Sequence, residues 1–469
     1  MRTPTSGKAT KINLLDFKSV PMRTFHLTWL AFFLCFFGWF GIAPLLTIVR
    51  DDLGITTDQI VTTNMLAVAS TVVMRLAIGW LCDRYGPRLT YSWLLILGSI
   101  PVMLIGMAQT YEQFLVARVF IGAIGAAFVI TQYHTSVMFA SNIVGTANAT
   151  TAGWGNLGGG VTQQVMPLIF AGVLAFVASE SLAWRYAMIG PGIMLFVMGF
   201  VYRKYTKDTP NGNVGDFEAE YAQQRKKDSG KAFTDVMKDY RVWVLFVIYG
   251  ACFGVELIIN SKAAMYFGDY MGMNLQTAGL IAGLFGIMNI FARSFGGFIA
   301  DKFGKAWGLR GRVKWLFIGL FLEGLTLILF SRMDTVPLVI MSLLVFSLCV
   351  QMSEGATYSV VPFINKKGLG AVSGIVGAGG NAGAVAGMFL FKKELTGLEW
   401  YDSFLCLGFI VLGVSFLAWT INFDKDTQDE ADNEMAESLL VTGGELPKRL
   451  RNKQPDANTG VKKPEPVEA

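Results

Sequence analysis

Hydrophobic positions along this chain fall in long unbroken runs, not in short alternating strings. Twelve runs stand out: 27–49, 58–82, 90–108, 113–139, 143–175, 184–202, 242–266, 277–300, 313–330, 336–361, 368–391 and 402–423. Most are about 20 residues long, the length at which an α-helix crosses a bilayer core. No water there can satisfy an open backbone, so such runs predict helices and not isolated strands. The run at 143–175 is longer than one crossing needs, and its ends are expected to project beyond the hydrocarbon. Most polar connections are short. The exception is 203–241, with a turn at Thr209–Asn213 and a charged amphipathic stretch at 217–227. It divides the pattern into two sets of six. The expected organisation is a tail at 1–26, a six-helix half at 27–202, a linker at 203–241, a second half at 242–423 and a charged, disordered tail at 424–469.

Composition agrees with that pattern. The 469 residues are 53% hydrophobic and 16% charged, with mean hydropathy +0.47; soluble domains carry about 25% charged residues. The chain therefore reads as an all-α integral membrane protein. Its five cysteines lie in or beside apolar runs and suggest buried packing, not a disulfide framework. The first 26 residues are polar and basic and the first apolar run is long, so it reads as a retained span rather than a cleaved leader. Net charge is only +5, and its distribution says more. About 30 of the 39 lysines and arginines lie in the two tails and the even-to-odd connections, which places both termini in the cytoplasm.

The two halves repeat. Arg75, Gly79, Asp83 and Gly86 recur 218 residues later as Arg293, Gly297, Asp301 and Gly304. AGWGNLGGG at Ala152–Gly160 has a near-copy, GAGGNAGA, at Gly377–Ala384, with Asn156 and Asn381 in matching places 225 residues apart. Glycine costs a helix about 1 kcal/mol relative to alanine. In a membrane helix it permits close approach of another backbone or a ligand. Gly153, Gly155, Gly158 and Gly159, with Gly377, Gly379, Gly380 and Gly383, therefore mark two smooth helix walls, each bearing one amide. Parallel six-span repeats place a substrate site between the halves at the midplane.

GWLCDRYGPR (Gly79–Arg88) and GFIADKFG (Gly297–Gly304) resemble the cytoplasmic loop signature of the major facilitator superfamily. In such a loop glycine allows close packing. The aspartate accepts from a neighbouring helix N-terminus or arginine, making a conformational latch. Here those residues are Gly79, Asp83, Arg84, Gly297 and Asp301. The fold expected is twelve transmembrane helices in two pseudo-symmetric halves. Arg75 and Arg293 lie deeper, inside apolar runs, where an unpaired charge costs several kcal/mol. A purely structural role would pair each with one of the few intramembrane acids, chiefly Glu256, Glu323 and Glu354. Two symmetric guanidiniums facing one cavity instead suit a planar oxyanion, which a guanidinium binds with two parallel donors.

The twin arginines, AGWGNLGGGVTQQVMPLI, SGIVGAGGNAGAVAG, YGACFGVEL, GLRGR and EGATYSVVPFI resemble the nitrate/nitrite porters of the major facilitator superfamily. The likeness covers residues 24–423 and is greatest to the plant, algal and fungal high-affinity branch. It implies an importer of nitrate, and of nitrite, in a plasma or bacterial inner membrane. It implies that Arg75, Arg293, Asn156 and Asn381 bind the anion, with Phe128, Tyr249 and Phe253 as its aromatic walls. It also implies a proton as co-substrate. Glu256 and Glu354 are the candidate proton-coupling groups, with simple salt-bridge partners as the alternative. Nitrate/nitrite exchange and nitrate sensing without flux are the alternative functions. No enzyme, cofactor, metal or nucleic-acid reading is supported. The glycine-rich stretch lacks a phosphate-loop lysine, and no Cys/His cluster offers ligands. Nothing in the sequence identifies an accessory protein.

Overall fold

The computed structural model describes residues 7–216, 219–273 and 275–451. Among these the chain is helical, and β-structure is limited to two isolated bridges. Eleven helical stretches are long and apolar enough to cross a membrane. One of them, Thr277–Ser331, runs for 55 residues and is interrupted by non-helical backbone at Trp307 and Gly308. Gly308 adopts φ +66°, a left-handed conformation that only glycine takes freely, and the chain reverses there. The break yields twelve spans.

The first half comprises α1 (Val20–Phe40), α2 (Thr57–Tyr85), α3 (Pro87–Leu104), α4 (Tyr111–Met138), α5 (Val144–Val177) and α6 (Glu180–Tyr205). The second comprises α7 (Tyr240–Met271), α8 (275–306), α9 (309–331), α10 (Val336–Val360), α11 (Leu369–Met388) and α12 (Trp400–Ser415). Local chemistry explains the ends. Thr56 and Gln59 form a reciprocal capping box at the start of α2. Gly86, at φ +87°, ends α2, and Pro87 opens α3 where its missing N–H is harmless.

The halves meet principally where α2 packs on α11 and α5 packs on α8. Both seams close at one end through glycine. A Cβ on Gly79 would strike the Gly370 backbone, and one on Gly297 would strike the Gly145 backbone. Gly370 follows Gly145 by 225 residues, the spacing of the two signature asparagines. The repeat seen in the motifs therefore extends to the surfaces they pack against.

Composition predicts disorder across 424–469, and the structure corrects this for much of the tail. Lys425–Val441 is a helix, N-capped by Asp424, which accepts from the Thr427 N–H at 2.8 Å. Its Met435, Ala436 and Leu439 form a small buried cluster with Leu450, farther along the tail. One apolar stripe is enough to dock a polar helix, and average composition conceals such a stripe. Residues 452–469 lie outside the described residues. Glu434 of the tail helix, 8% exposed, binds Lys8 at 2.8 Å and Lys366, before α11, at 3.3 Å. Lys8 is held near the first half because Ala9 exchanges backbone bonds with Met138 and Ala140. The tail helix thus ties one half to the other.

Burial alone would raise the Glu434 carboxyl, but Lys8 and Lys366 outweigh it and hold it below the ordinary glutamate range. A carboxyl held low stabilises the fold above that range and ceases to as pH falls through its lowered value. Lys8→Ala should lower the thermal midpoint by about 2 °C at neutral pH, as expected for roughly 1 kcal/mol in a large domain. That difference should shrink and vanish as pH falls through the lowered Glu434 value, beneath the ordinary glutamate range. Differential scanning fluorimetry in detergent across this range checks both statements.

Candidate functional site

Arg75 of α2 and Arg293 of α8 converge at the centre of the bundle, 0% and 1% exposed. Between them stand Phe128 of α4 and Phe253 of α7, nearly parallel at 10° with centroids 6.2 Å apart. The Arg75 guanidinium carbon lies 5.2 Å from the Phe128 centroid and 5.6 Å from that of Phe253. For Arg293 the distances are 5.7 and 5.9 Å. Both cations therefore share the same two ring faces, within the range of cation–π attraction. Tyr249 stacks on Phe253 at 5.3 Å and 5°, and its hydroxyl accepts from Arg293 Nη2 at 2.7 Å.

The two arginines differ in their partners. Arg293 Nη1 contacts the Glu354 carboxylate and lies 3.9 Å from Glu256 Oε2. Glu256 Oε1 in turn accepts from Asn289 Nδ2 at 2.7 Å. The structural pairing considered for both arginines thus holds for Arg293 alone. Arg75 donates from Nη1 to the Gly377 carbonyl and has no carboxylate within 4 Å among the described residues. Its Nε and Nη2 are buried without a partner. Those two nitrogens form one edge of the guanidinium, so a complete two-donor fork stands unused in a dry place. Buried donors are nearly always bonded, and this exception calls for a ligand.

The glycines make room for this geometry. A Cβ on Gly380 would lie 2.5 Å from the Phe253 ring and 3.0 Å from Tyr249. One on Gly377 would lie 3.4 Å from Phe128 and 3.6 Å from the Arg75 side chain. Gly379 and Gly383, on the adjoining face, lie against the α7 backbone at Phe246 and Gly250. In α5, Gly153 abuts Arg293 and the Asn289 carbonyl, whereas Gly155 and Gly158 face Phe32 and Phe33 of α1, and Gly159 sits near Phe40.

The asparagines are less alike than their motifs suggest. Asn381 is fully buried one turn beyond Gly377, with both amide atoms unpartnered. Asn156 is half-buried one turn beyond Gly153, and its Oδ1 lacks a partner.

Two turns from each arginine, the motif aspartates bind helix N-termini across the seams. Asp83 accepts from the Gly370 and Ala371 N–H groups at 2.9 and 2.8 Å. Asp301 accepts from the N–H groups of Gly145 at 3.0 Å and Thr146 at 2.6 Å, and from the Thr146 hydroxyl at 2.6 Å. Arg312 adds a buried ion pair to Asp301 at 2.7 Å. Arg84 lies over the Trp80 and Tyr85 rings instead. The bundle is therefore latched at this end, and the arginine site is shielded from solvent.

Residues 28–362 match the Major Facilitator Superfamily. The chain is 38% identical to High affinity nitrate transporter 2.5 of Arabidopsis thaliana, over 83% of this chain and 78% of that protein. It is 36% identical to High-affinity nitrate transporter 2.3 of Oryza sativa subsp. japonica, over 89% and 81%. It is 30% identical to the nitrate/nitrite transporter NrtP of a Picosynechococcus strain, over 78% and 83%. The chain belongs to the nitrate/nitrite porters of the major facilitator superfamily. Two solved structures share the fold at 13% identity. They are the proton:xylose symporter XylE (TM-score 0.63, 86% of this chain and 96% of that one) and the human organic anion transporter MFSD10 (TM-score 0.62, 86% and 100%). As a member of this superfamily the protein is a multi-span membrane transporter and not an enzyme.

Within this porter fold, sequence reasoning passed over three groups. Tyr358 of α10 meets Phe128 edge-on at 4.9 Å and Tyr249 at 5.0 Å. It lies one turn from Glu354 within EGATYSVVPFI, which is the signal that could have found it. Asn289 sits one turn before Arg293, and Arg312 sits in GLRGR, where it reads as an ordinary basic-loop residue. A wide apolar groove of about 1020 Å³ lies elsewhere, on the outer face of α2–α4 around Trp93, Leu97 and Phe120, as suits a surface facing lipid.

The two kinds of buried arginine should separate in stability measurements. Arg312→Met leaves Asp301 buried without its cation, a loss of about 3–5 kcal/mol. Arg75→Met removes a charge that no carboxylate compensates and should leave the thermal midpoint unchanged or raised. A large fall for Arg75→Met would show that this arginine is structural.

Proposed function

We propose that this porter imports nitrate, with nitrite as a second substrate, by alternating access in symport with protons. The observation that carries the reading is the unused Nε/Nη2 edge of Arg75, buried beside Arg293 and two parallel rings. Nitrate is flat, singly charged and weakly hydrated. Guanidinium forks match its oxygens, and ring edges replace its thin water shell. The names of the relatives support nitrate over a larger organic anion.

In this reading Arg75 binds the anion through its free edge, and Arg293 completes the clamp. Asn381, with both amide atoms free, donates to the anion; Asn156 does so from the opposite wall. Phe128, Tyr249 and Phe253 shape the slot. Nitrate competes with Glu354 for Arg293 Nη1. A carboxylate displaced from its cation in a buried site is costly, and protonation removes the cost. Proton and nitrate binding therefore favour one another, by equal factors in both directions. The lysine and arginine bias supports a cytoplasmic position for the latch end and both termini. Substrate then enters from the opposite face. Gly79, Asp83, Gly297 and Asp301 part from the opposite half as the halves rock, and the anion is released inside.

Labelled-nitrate uptake into proteoliposomes tests the reading. An inward proton gradient should raise accumulation at least about tenfold, and unlabelled nitrite and chlorate should compete. Uptake that depends on internal nitrite and ignores pH would make the protein an exchanger. Binding without any flux would make it a receptor. Arg75→Lys and Arg293→Lys should each raise the half-saturation concentration about tenfold or more, equivalent to about 1.4 kcal/mol, because ammonium offers a point charge and no fork. Near-normal affinity in both variants would sink the clamp. Gly380→Ala should weaken uptake as well, since its methyl group displaces Phe253 and Tyr249.

A further inference from the structure

Beside the anion site lies a third buried carboxyl that the scheme above does not use. Glu323 of α9 is 0% exposed. Neither of its oxygens has a hydrogen-bond partner or a cation within 4 Å among the described residues. The Ser353 hydroxyl of α10 lies alongside it but donates to the Cys349 carbonyl at 3.0 Å. The titratable groups acting on Glu323 are Glu256 and Cys252 from α7, with Glu354 and Cys349 from α10. From α12, Gly408 and Leu412 face the adjacent Gly324 and carry no charge. None of these neighbours is a cation. An unpaired carboxylate in such surroundings takes up a proton rather than stay charged.

Glu354 and Glu256 therefore share one cation, Arg293, and Glu323 has none. Glu354 touches it, Glu256 is 3.9 Å away, and Glu323 has no pairing with it. Glu354 and Glu256 flank the same nitrogen, Arg293 Nη1, so the two carboxyls are neighbours.

We propose that Glu323 is the waiting proton donor of the transport cycle, passing its proton through Glu256 to Glu354 when the anion takes Arg293. The proposal rests on the symport reading above. At the first hop the O–H bond of Glu323 breaks and an O–H bond forms on Glu256. The negative charge moves to Glu323, and nothing is oxidised or reduced. Glu256 then hands a proton to Glu354 in the same way. Glu323 is refilled from solvent when the site opens away from the latches. Glu323 never touches the anion, which separates its role from that of Glu354.

The test uses full-length protein in proteoliposomes, with labelled nitrate outside and a pH dye inside. Glutamine mimics the protonated acid, so Glu323→Gln should fold. It should bind nitrate within about twofold of wild type and still exchange nitrate at zero gradient. Its gradient-driven accumulation and nitrate-dependent proton entry should fall at least about tenfold. Glu323→Asp keeps a titratable group and should restore most of the coupling. Wild-type coupling in Glu323→Gln would overturn the proposal while leaving symport intact. Absence of coupling in the wild type would overturn symport itself. Infrared difference spectra of the wild type on nitrate addition give a readout independent of the variants. A protonated-carboxyl band should change, and its absence would also overturn the role assigned to Glu323.

Discussion

Everything in this molecule is arranged around two like charges held in a place that disfavours charge. Arg75 and Arg293 lie in the middle of a helical bundle whose outer faces are apolar, and water does not reach them. A guanidinium so placed demands compensation. Arg293 has it from Glu354, Glu256 and the Tyr249 hydroxyl, whereas Arg75 has one carbonyl and the ring faces. The site is therefore short of negative charge on one side. That imbalance leaves the Nε/Nη2 edge of Arg75 as unmet positive charge.

The same helices carry the imbalance to the ends of the molecule. Arg75, Gly79 and Asp83 share α2; Arg293, Gly297 and Asp301 share α8. Eight residues of helix span about 12 Å, so each arginine is joined by a stiff rod to the aspartate that closes its seam. Each aspartate is satisfied by two backbone N–H groups at the start of a helix from the opposite half. Helix N-termini suit a carboxylate, and the bonds are many but individually modest. A closure of that kind holds through several modest bonds acting together. The tail helix adds a third tie at the same end, joining Lys8 to Lys366 through Glu434.

The glycine walls do different work on different faces. Gly379 and Gly383 admit the α7 backbone, and Gly377 and Gly380 leave space for the rings and Arg75. One residue type thus serves close backbone packing on one face and room for the rings and Arg75 on the other. A methyl group on either face would be felt at the site. The tolerance for this much glycine comes from the surrounding bundle, which supplies the stability that α11 lacks alone.

Run length and composition determined by themselves that this is a twelve-span membrane protein, because a bilayer leaves few solutions for long apolar segments. The repeat of Arg75 and Arg293, of the loop motifs and of the asparagines was legible too, since identity at a fixed spacing needs no coordinates. Phe128, Tyr249 and Phe253 were legible only through family resemblance, as one aromatic among 36 phenylalanines announces nothing alone. Tertiary structure decided the rest. Charge compensation depends on distance across helices, so only the fold could show that Arg293 is paired and Arg75 is not. Only the fold could show buried Glu323 without a partner, set Arg312 against Asp301, or dock the tail helix. The opposed packing of α2 on α11 and α5 on α8 is likewise a matter of which surfaces meet, and no linear pattern records that.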